Sequence, residues 1–185
     1  MSGERARLFV ALDLPPHVRS ALHGWGREQV GEMPRLRLVE PESLHVTLCF
    51  LGSRPVGEVG GIGAACATVS GRAQAPLALG DALWLPPRRP RVLIVELADE
   101  LGHLTAVQSA LTRALQAGGF YEAEKRRFLA HVTVARVQRQ ARPHRESLPP
   151  PESQRFIGDT VTLYQSRLGQ GPARYQALSS ALLAG

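Results

Sequence analysis

Two short segments of this chain carry the same tripeptide in the same setting. His-Val-Thr stands at 45–47 within "ESLHVTLCFLG" and again at 131–133 within "FLAHVTVARV". Each lies in an apolar run that reads as a β-strand. Residues two apart on a strand share a face and lie about 6.5–7 Å apart along it. His45 and Thr47 therefore form a polar ledge, as do His131 and Thr133. Val46, Leu48, Val132 and Val134 turn to the opposite, apolar face. A fold that contains both segments must bury one face of each strand and open the other to solvent or ligand.

The surroundings of the two segments also repeat. A strand, a helix and a His-Val-Thr strand run from Arg7 to His45. The same order runs from Arg91 to His131, over a similar length. In the first unit "RLFVALDL" is a buried strand, and Pro15 and Pro16 open a helix with Val18, Leu22 and Trp25 on one face. In the second, "RVLIVELA" is the strand, and Asp99 is the expected N-cap of a helix over 100–117. Leu101, Leu104, Val107, Leu111 and Leu115 form its apolar face, and Gly118 and Gly119 end it. Two such units can pack about a pseudo-twofold axis, each presenting one His and one Thr.

Further strands are expected at 35–39, 75–85 and 156–168, with the second motif inside a strand over 126–137. A glycine-rich helix is expected near 56–69. The segment 173–183 reads as a strand or a helix, and 140–154 as a polar, proline-rich loop. At 185 residues and 44% hydrophobic, one domain of two lobes is expected over 1–185.

Two imidazoles facing each other across a cleft suit in-line displacement at phosphorus. One takes a proton from the attacking oxygen while the other protonates the leaving oxygen on the far side. Two threonine hydroxyls can donate to the non-bridging oxygens, where charge builds. Neither motif has a second His, Cys or carboxylate at ligand spacing, so no metal site is expected. No glycine-rich phosphate loop is present, and no cofactor is expected. Cys49 falls on the His45 face by parity and reads as a small neutral strand residue. The net charge of +6 points to an anionic partner, with nucleic acid first. Almost all the basic residues are arginine, with Lys125 the only lysine. The clusters "PPRRPR" at 86–91 and "EKRRF" at 124–128 favour a long polyanion. The N-terminus lacks a secretory leader pattern and no apolar run reaches spanning length. A cytoplasmic location away from membranes is therefore expected.

These residues resemble the 2H phosphoesterase superfamily, and within it the RNA 2′,3′-cyclic phosphodiesterase family, also described as bacterial 2′-5′ RNA ligase-like. "RLFVALDLP" is similar to that family's opening strand. "ESLHVTLCFLG" and "FLAHVTVAR" are similar to its two motifs, and "LYQSRLGQGPARYQAL" to its C-terminal signature. The resemblance implies a bilobal α+β fold with mainly antiparallel sheets, helices outside and a central active-site cleft. It implies hydrolysis of RNA 2′,3′-cyclic phosphate ends to 2′-phosphates, with ATP-independent 2′-5′ ligation as the reverse type of reaction. It makes His45 the proton donor, His131 the proton acceptor, and Thr47 and Thr133 the phosphate-binding pair. It also brings Phe50 and Arg136 to the terminal base, although simple alternation turns both away from the histidine face. The chain departs from the family at Ala130, where proline is usual. A monomer is expected. The rival readings are an enzyme acting on a small cyclic-phosphate nucleotide and an RNA-end-binding module without turnover.

Overall fold

The computed structural model describes residues 4–122, 124, 126–138, 146–167 and 174–185. Among these, nine strands and three α-helices run in the order β1 (Arg5–Asp13), α1 (Pro16–Val30), β2 (Leu36–Leu38), β3 (His45–Pro55), α2 (Val59–Ala67), β4 (Ala75–Leu85), β5 (Val92–Ala98), α3 (His103–Ala117), β6 (His131–Val137), β7 (Arg155–Gly158), β8 (Thr160–Arg167) and β9 (Arg174–Leu182). The chain is α+β, with every strand pairing antiparallel.

The strand order across the sheet is β7-β4-β5-β6-β3-β1-β8-β9, with β2 on the edge of β6. Read outward from the centre, the two halves match. β3 and β6 sit back to back, flanked by β1 and β5, then by β8 and β4, then by β9 and β7. The two lobes are joined into one curled sheet at a single register pair, Val46 opposite Val132. Both valines are fully buried.

The helices cross between the halves. α1, from the first unit, packs against β6, while α3, from the second, packs against β3. On α1 the buried residues are Val18, Leu22, Trp25, Gly26 and Val30, the stripe expected from the sequence. On α3 they are Leu104, Val107, Ala110, Leu111 and Leu115. Leu101 lies before the helix and is exposed. The helix starts at His103, with Gly102 at the N-cap in the left-handed region at φ 69°. Asp99 is thus not the N-cap. Its carboxylate nevertheless accepts the free amides of Leu104 and Thr105, at 3.2 and 2.8 Å, so its capping role survives from further back in the chain.

Three other expectations change. Strand β6 begins at His131, and the described residues of 126–130 carry no strand. The single strand expected over 156–168 is two, β7 and β8, which break at Asp159 and pair with β4 and β1 on opposite sides of the molecule. The C-terminal segment is a strand. The loop at 140–154 and the C-terminal signature lie partly outside the described residues, as do Lys125 and His144. Among the described residues no helix is long and apolar enough to cross a membrane.

Close packing behind the second motif depends on Gly26. A Cβ there would lie 2.7 Å from Val134 Cγ1 and 3.1 Å from Leu38 Cδ2. A Cβ at Gly24, on the same helix, would meet nothing within 4 Å. Gly24→Ala should therefore stabilise by about 0.5–1 kcal/mol through helix propensity. Gly26→Ala should destabilise by about 1 kcal/mol, because overpacking exceeds that gain. Urea denaturation of the two variants should show shifts of opposite sign.

Candidate active site

The central register pair sets the geometry. With Val46 opposite Val132, extending the register by one residue each way puts Thr133 across from His45 and His131 across from Thr47. Opposite residues in an antiparallel pair stand about 4.5–5.5 Å apart and residues two along a strand about 6.5–7 Å. The four side chains therefore occupy the corners of a rectangle whose diagonals join His to His and Thr to Thr. His45 and His131 each begin their strand, and the strands pair nowhere else, so the rectangle lies where the halves part.

The two imidazoles are held alike. His45 Nδ1–H donates to the carbonyl of Ser43 at 2.8 Å, and His131 Nδ1–H donates to that of Leu129 at 2.7 Å. In both, the acceptor is two residues earlier, in the segment that leads into the strand. A proton fixed on Nδ1 leaves Nε2 as the reactive nitrogen. In neutral His45, Nε2 accepts a hydrogen bond from the Thr47 hydroxyl at 3.1 Å. Each histidine also has an acidic neighbour across its other strand edge. Asp13 pairs with His45 and Glu96 with His131.

A wall of rings encloses His45. Phe9 stacks on it with centroids 4.9 Å apart, and Tyr175 meets it edge-on at 5.3 Å. Tyr164 stacks on the far side of Phe9 at 5.3 Å. Its hydroxyl donates to Asp13 Oδ1 at 2.8 Å, and Thr162 donates to Asp13 Oδ2 at 2.8 Å. Burial, followed by this bond to Asp13, pushes the Tyr164 hydroxyl up to about 12, so it remains a donor. Burial also lowers the His45 imidazole to about 4. The bond to Ser43 opposes this, and the charges of Arg136 and His131 lower it further. In the free protein His45 is therefore neutral at physiological pH.

Phe50 and Arg136 both reach this face. Alternation along β3 and β6 would turn them away, but each strand contains a bulge just after its motif. In β3 the register against β1 slips between Thr47 and Cys49. In β6 the register against β5 slips between Thr133 and Ala135. As a result Leu48 and Cys49 are both buried, as are Val134 and Ala135, and the next residue turns outward. Phe50 and Arg136 each stand five residues after their histidine. They line a recess of about 280 Å³ with Arg7, Phe9, His45, Thr47, Ser166 and Tyr175. The Arg7 guanidinium lies over the Phe50 ring, 4.7 Å from its centroid. The same bulge removes Cys49 from the histidine face. It is buried beside Thr112, with Sγ and Oγ1 3.6 Å apart, and burial pushes its thiol up to about 11, away from the reactive thiolate.

Sequence reasoning did not single out Arg7, Phe9, Tyr164, Tyr175 or Asp13. Alternation on β1 sets Arg7 and Phe9 on one face, a signal available in "RLF". Tyr175 lies in the segment left open between strand and helix. Only the pairing of β8 with β1 brings Tyr164 to Asp13.

No family model matches the chain. It is 32% identical to the RNA 2′,3′-cyclic phosphodiesterase of Archaeoglobus fulgidus, over 72% of this chain and 73% of that protein. It is 29% identical to the RNA 2′,3′-cyclic phosphodiesterase of Escherichia coli, over 95% and 96% of the two chains. Its fold superposes on the crystal structure of E. coli LigT complexed with 3′-AMP with a TM-score of 0.82 at 25% identity, covering 98% of this chain and all of that one.

The low His45 value has a stability consequence. The unfolded ring protonates near 6.5 and the folded ring only near 4, so the contribution is complete above about pH 6.5 and is lost as pH falls toward 4. At most about 3 kcal/mol should disappear over that window. His45→Gln should flatten this part of the stability–pH curve. In NMR titrations His45 should remain neutral until close to pH 4, and inorganic phosphate at the site should move its titration upward.

Proposed function

The chain belongs to the 2H phosphoesterase superfamily, in its RNA 2′,3′-cyclic phosphodiesterase family, and from that premise we propose that it opens 2′,3′-cyclic phosphate ends of RNA to 2′-phosphates by acid–base catalysis between His45 and His131. The observation that carries this reading is the diagonal His-Thr rectangle across the Val46–Val132 junction, with both histidines bound through Nδ1 so that Nε2 is the reactive nitrogen of each, that of His45 accepting from the Thr47 hydroxyl.

The roles follow from the recess beside His45. It holds Phe50, Arg7, Arg136 and Tyr175, which suit a base and its ribose. A nucleoside there puts its ribose oxygens on the His45 side of phosphorus. His45 then protonates the departing O3′, while His131 takes a proton from water on the other side. Thr47 and Thr133 donate to the non-bridging oxygens. The E. coli relative, whose crystal structure was solved with 3′-AMP, supports a nucleoside-plus-phosphate ligand for this arrangement. His45 must be charged to donate. The cyclic phosphate is an anion, and its arrival offsets the Arg136 charge that helps keep the ring neutral. With a 5′-hydroxyl in place of water, the same atoms join a strand to the cyclic end and form a 2′-5′ linkage. The reaction as proposed needs no metal and no ATP, and takes place within one two-lobed domain acting as a monomer.

His45→Ala and His131→Ala should each lower kcat by at least ~100-fold on an RNA bearing a cyclic end, with the fold retained by circular dichroism. Thr47→Val and Thr133→Val should cost about 1–3 kcal/mol each in kcat/KM. Activity should survive exhaustive chelation. A near wild-type rate in either histidine variant, or a loss restored by added zinc or manganese, would refute the mechanism.

The enclosure of His45 shapes the expected pH profile. Two unperturbed imidazoles would give a bell with both limbs near ~6.5. With His45 lowered to about 4, the kcat/KM profile of the free enzyme should instead keep its rate to well below pH 6. It should fall on the acid side near 4, as the His45 ring takes up its proton and the pair has no base left. The limbs belong to the coupled pair rather than to single residues. A sharp acid limb near 6.5 would contradict the enclosed His45.

A further inference from the structure

Hydrolysis needs room for one water beside His131, yet the recess on that side is the larger of the two. It measures about 640 Å³ against about 280 Å³ for the recess beside His45, and the two meet at Thr47 and Phe50. Its lining includes Arg113 on α3, Arg126 and Arg127 ahead of β6, and the rings of Tyr121 and Phe128. The three arginines are exposed and make no ion pair among the described residues. Glu124 is the one carboxylate in the described lining.

We propose that this groove is the binding site for a single RNA strand that delivers its 5′-hydroxyl to the side of phosphorus served by His131. The proposal rests on the reading that His45 and His131 act on a cyclic phosphate. Arginines spaced along a groove match the phosphates of a strand. Half-buried aromatic rings in the same lining offer stacking faces to unpaired bases, which a duplex keeps to itself. A strand seated there has its first nucleotide beside Thr47 and His131. In the group transfer, a 5′-O–P bond forms as the P–O3′ bond breaks. His131 Nε2 receives the proton of the 5′-hydroxyl, and His45 supplies a proton to O3′. The groove thereby sets how often a strand end replaces water as the nucleophile.

The test separates binding from turnover. A six-nucleotide single-stranded RNA with a free 5′-hydroxyl and a dye at its 3′ end is titrated with protein by fluorescence anisotropy. The probe carries no cyclic phosphate, so its binding is independent of catalysis. Combined Arg113→Gln, Arg126→Gln and Arg127→Gln substitution should weaken binding at least tenfold at low salt. It should lower the slope of log Kd against log salt by about 2, the single-strand value of ~0.7 per phosphate contact for three contacts. Arg126→Gln alone should remove about a third of that slope, a control if the triple variant is poorly folded. With a 2′,3′-cyclic mononucleotide as donor and the same oligomer as acceptor, the ratio of 2′-5′-joined product to hydrolysed product should fall at least tenfold in the triple variant. Equal affinity of wild type and folded variants, or binding insensitive to salt, would overturn the groove assignment. Tight, arginine-dependent binding with no turnover of the cyclic nucleotide would leave the groove standing and refute the catalytic reading.

Discussion

The site depends on one backbone contact. Among the described residues, Val46 and Val132 are the only pair through which the central strands β3 and β6 join the two halves of the sheet, and both are fully buried. Their side chains lock into the core on one face of the sheet. Their neighbours on both sides, one His and one Thr each, are forced onto the other face. The antiparallel direction then crosses the pattern, so histidine meets threonine across the strands and histidine meets histidine on the diagonal. A slip of one residue in either strand would turn that strand's His and Thr into the core and expose its valine. The crossed helices resist such a slip, because α1 packs behind β6 and α3 behind β3.

The two bulges extend the same logic. Each motif strand pairs regularly through its His and Thr, then inserts one residue and changes phase. Without the bulge the next residues on the face would be the small Cys49 in one strand and Ala135 in the other. With it, the fifth residue after the histidine returns to that face, as Phe50 in one half and Arg136 in the other. The shared offset converts a symmetric frame into an asymmetric site, with a ring from one half and a guanidinium from the other beside the same recess.

Much of this was legible in the sequence because it rests on period and repetition. The duplicated tripeptide placed His45, Thr47, His131 and Thr133 on one face, and the apolar stripes of α1 and α3 matched their buried residues except at Leu101, which lies before α3 and is exposed. Strict alternation failed at Cys49, Phe50 and Arg136, because a bulge is a property of the partner strand's register and leaves no mark on its own segment. The break at Asp159 was missed for a related reason. Its two flanking strands are separated by this one residue, and only their pairing with β4 on one side and β1 on the other divides them. The lowered value of His45 was out of reach as well. It comes from Phe9, Tyr175 and Arg136, residues distant in sequence that converge only when β1, β9 and β6 assemble.

An enclosed, neutral His45 beside an arginine is an imidazole primed to respond to an anion, and the free-energy cost of charging it falls when phosphate enters. The account therefore ties the burial of one ring, the phase shift of two strands and the chemistry at phosphorus to a single reaction outcome. The most direct measurement is to incubate the protein with a short RNA ending in a 2′,3′-cyclic phosphate, without ATP or divalent ions, and to identify the terminal group by mass spectrometry and susceptibility to 3′-specific phosphatase. The account predicts complete conversion to a 2′-phosphate end. A 3′-phosphate product, or a cyclic end that persists with the folded protein, would contradict it.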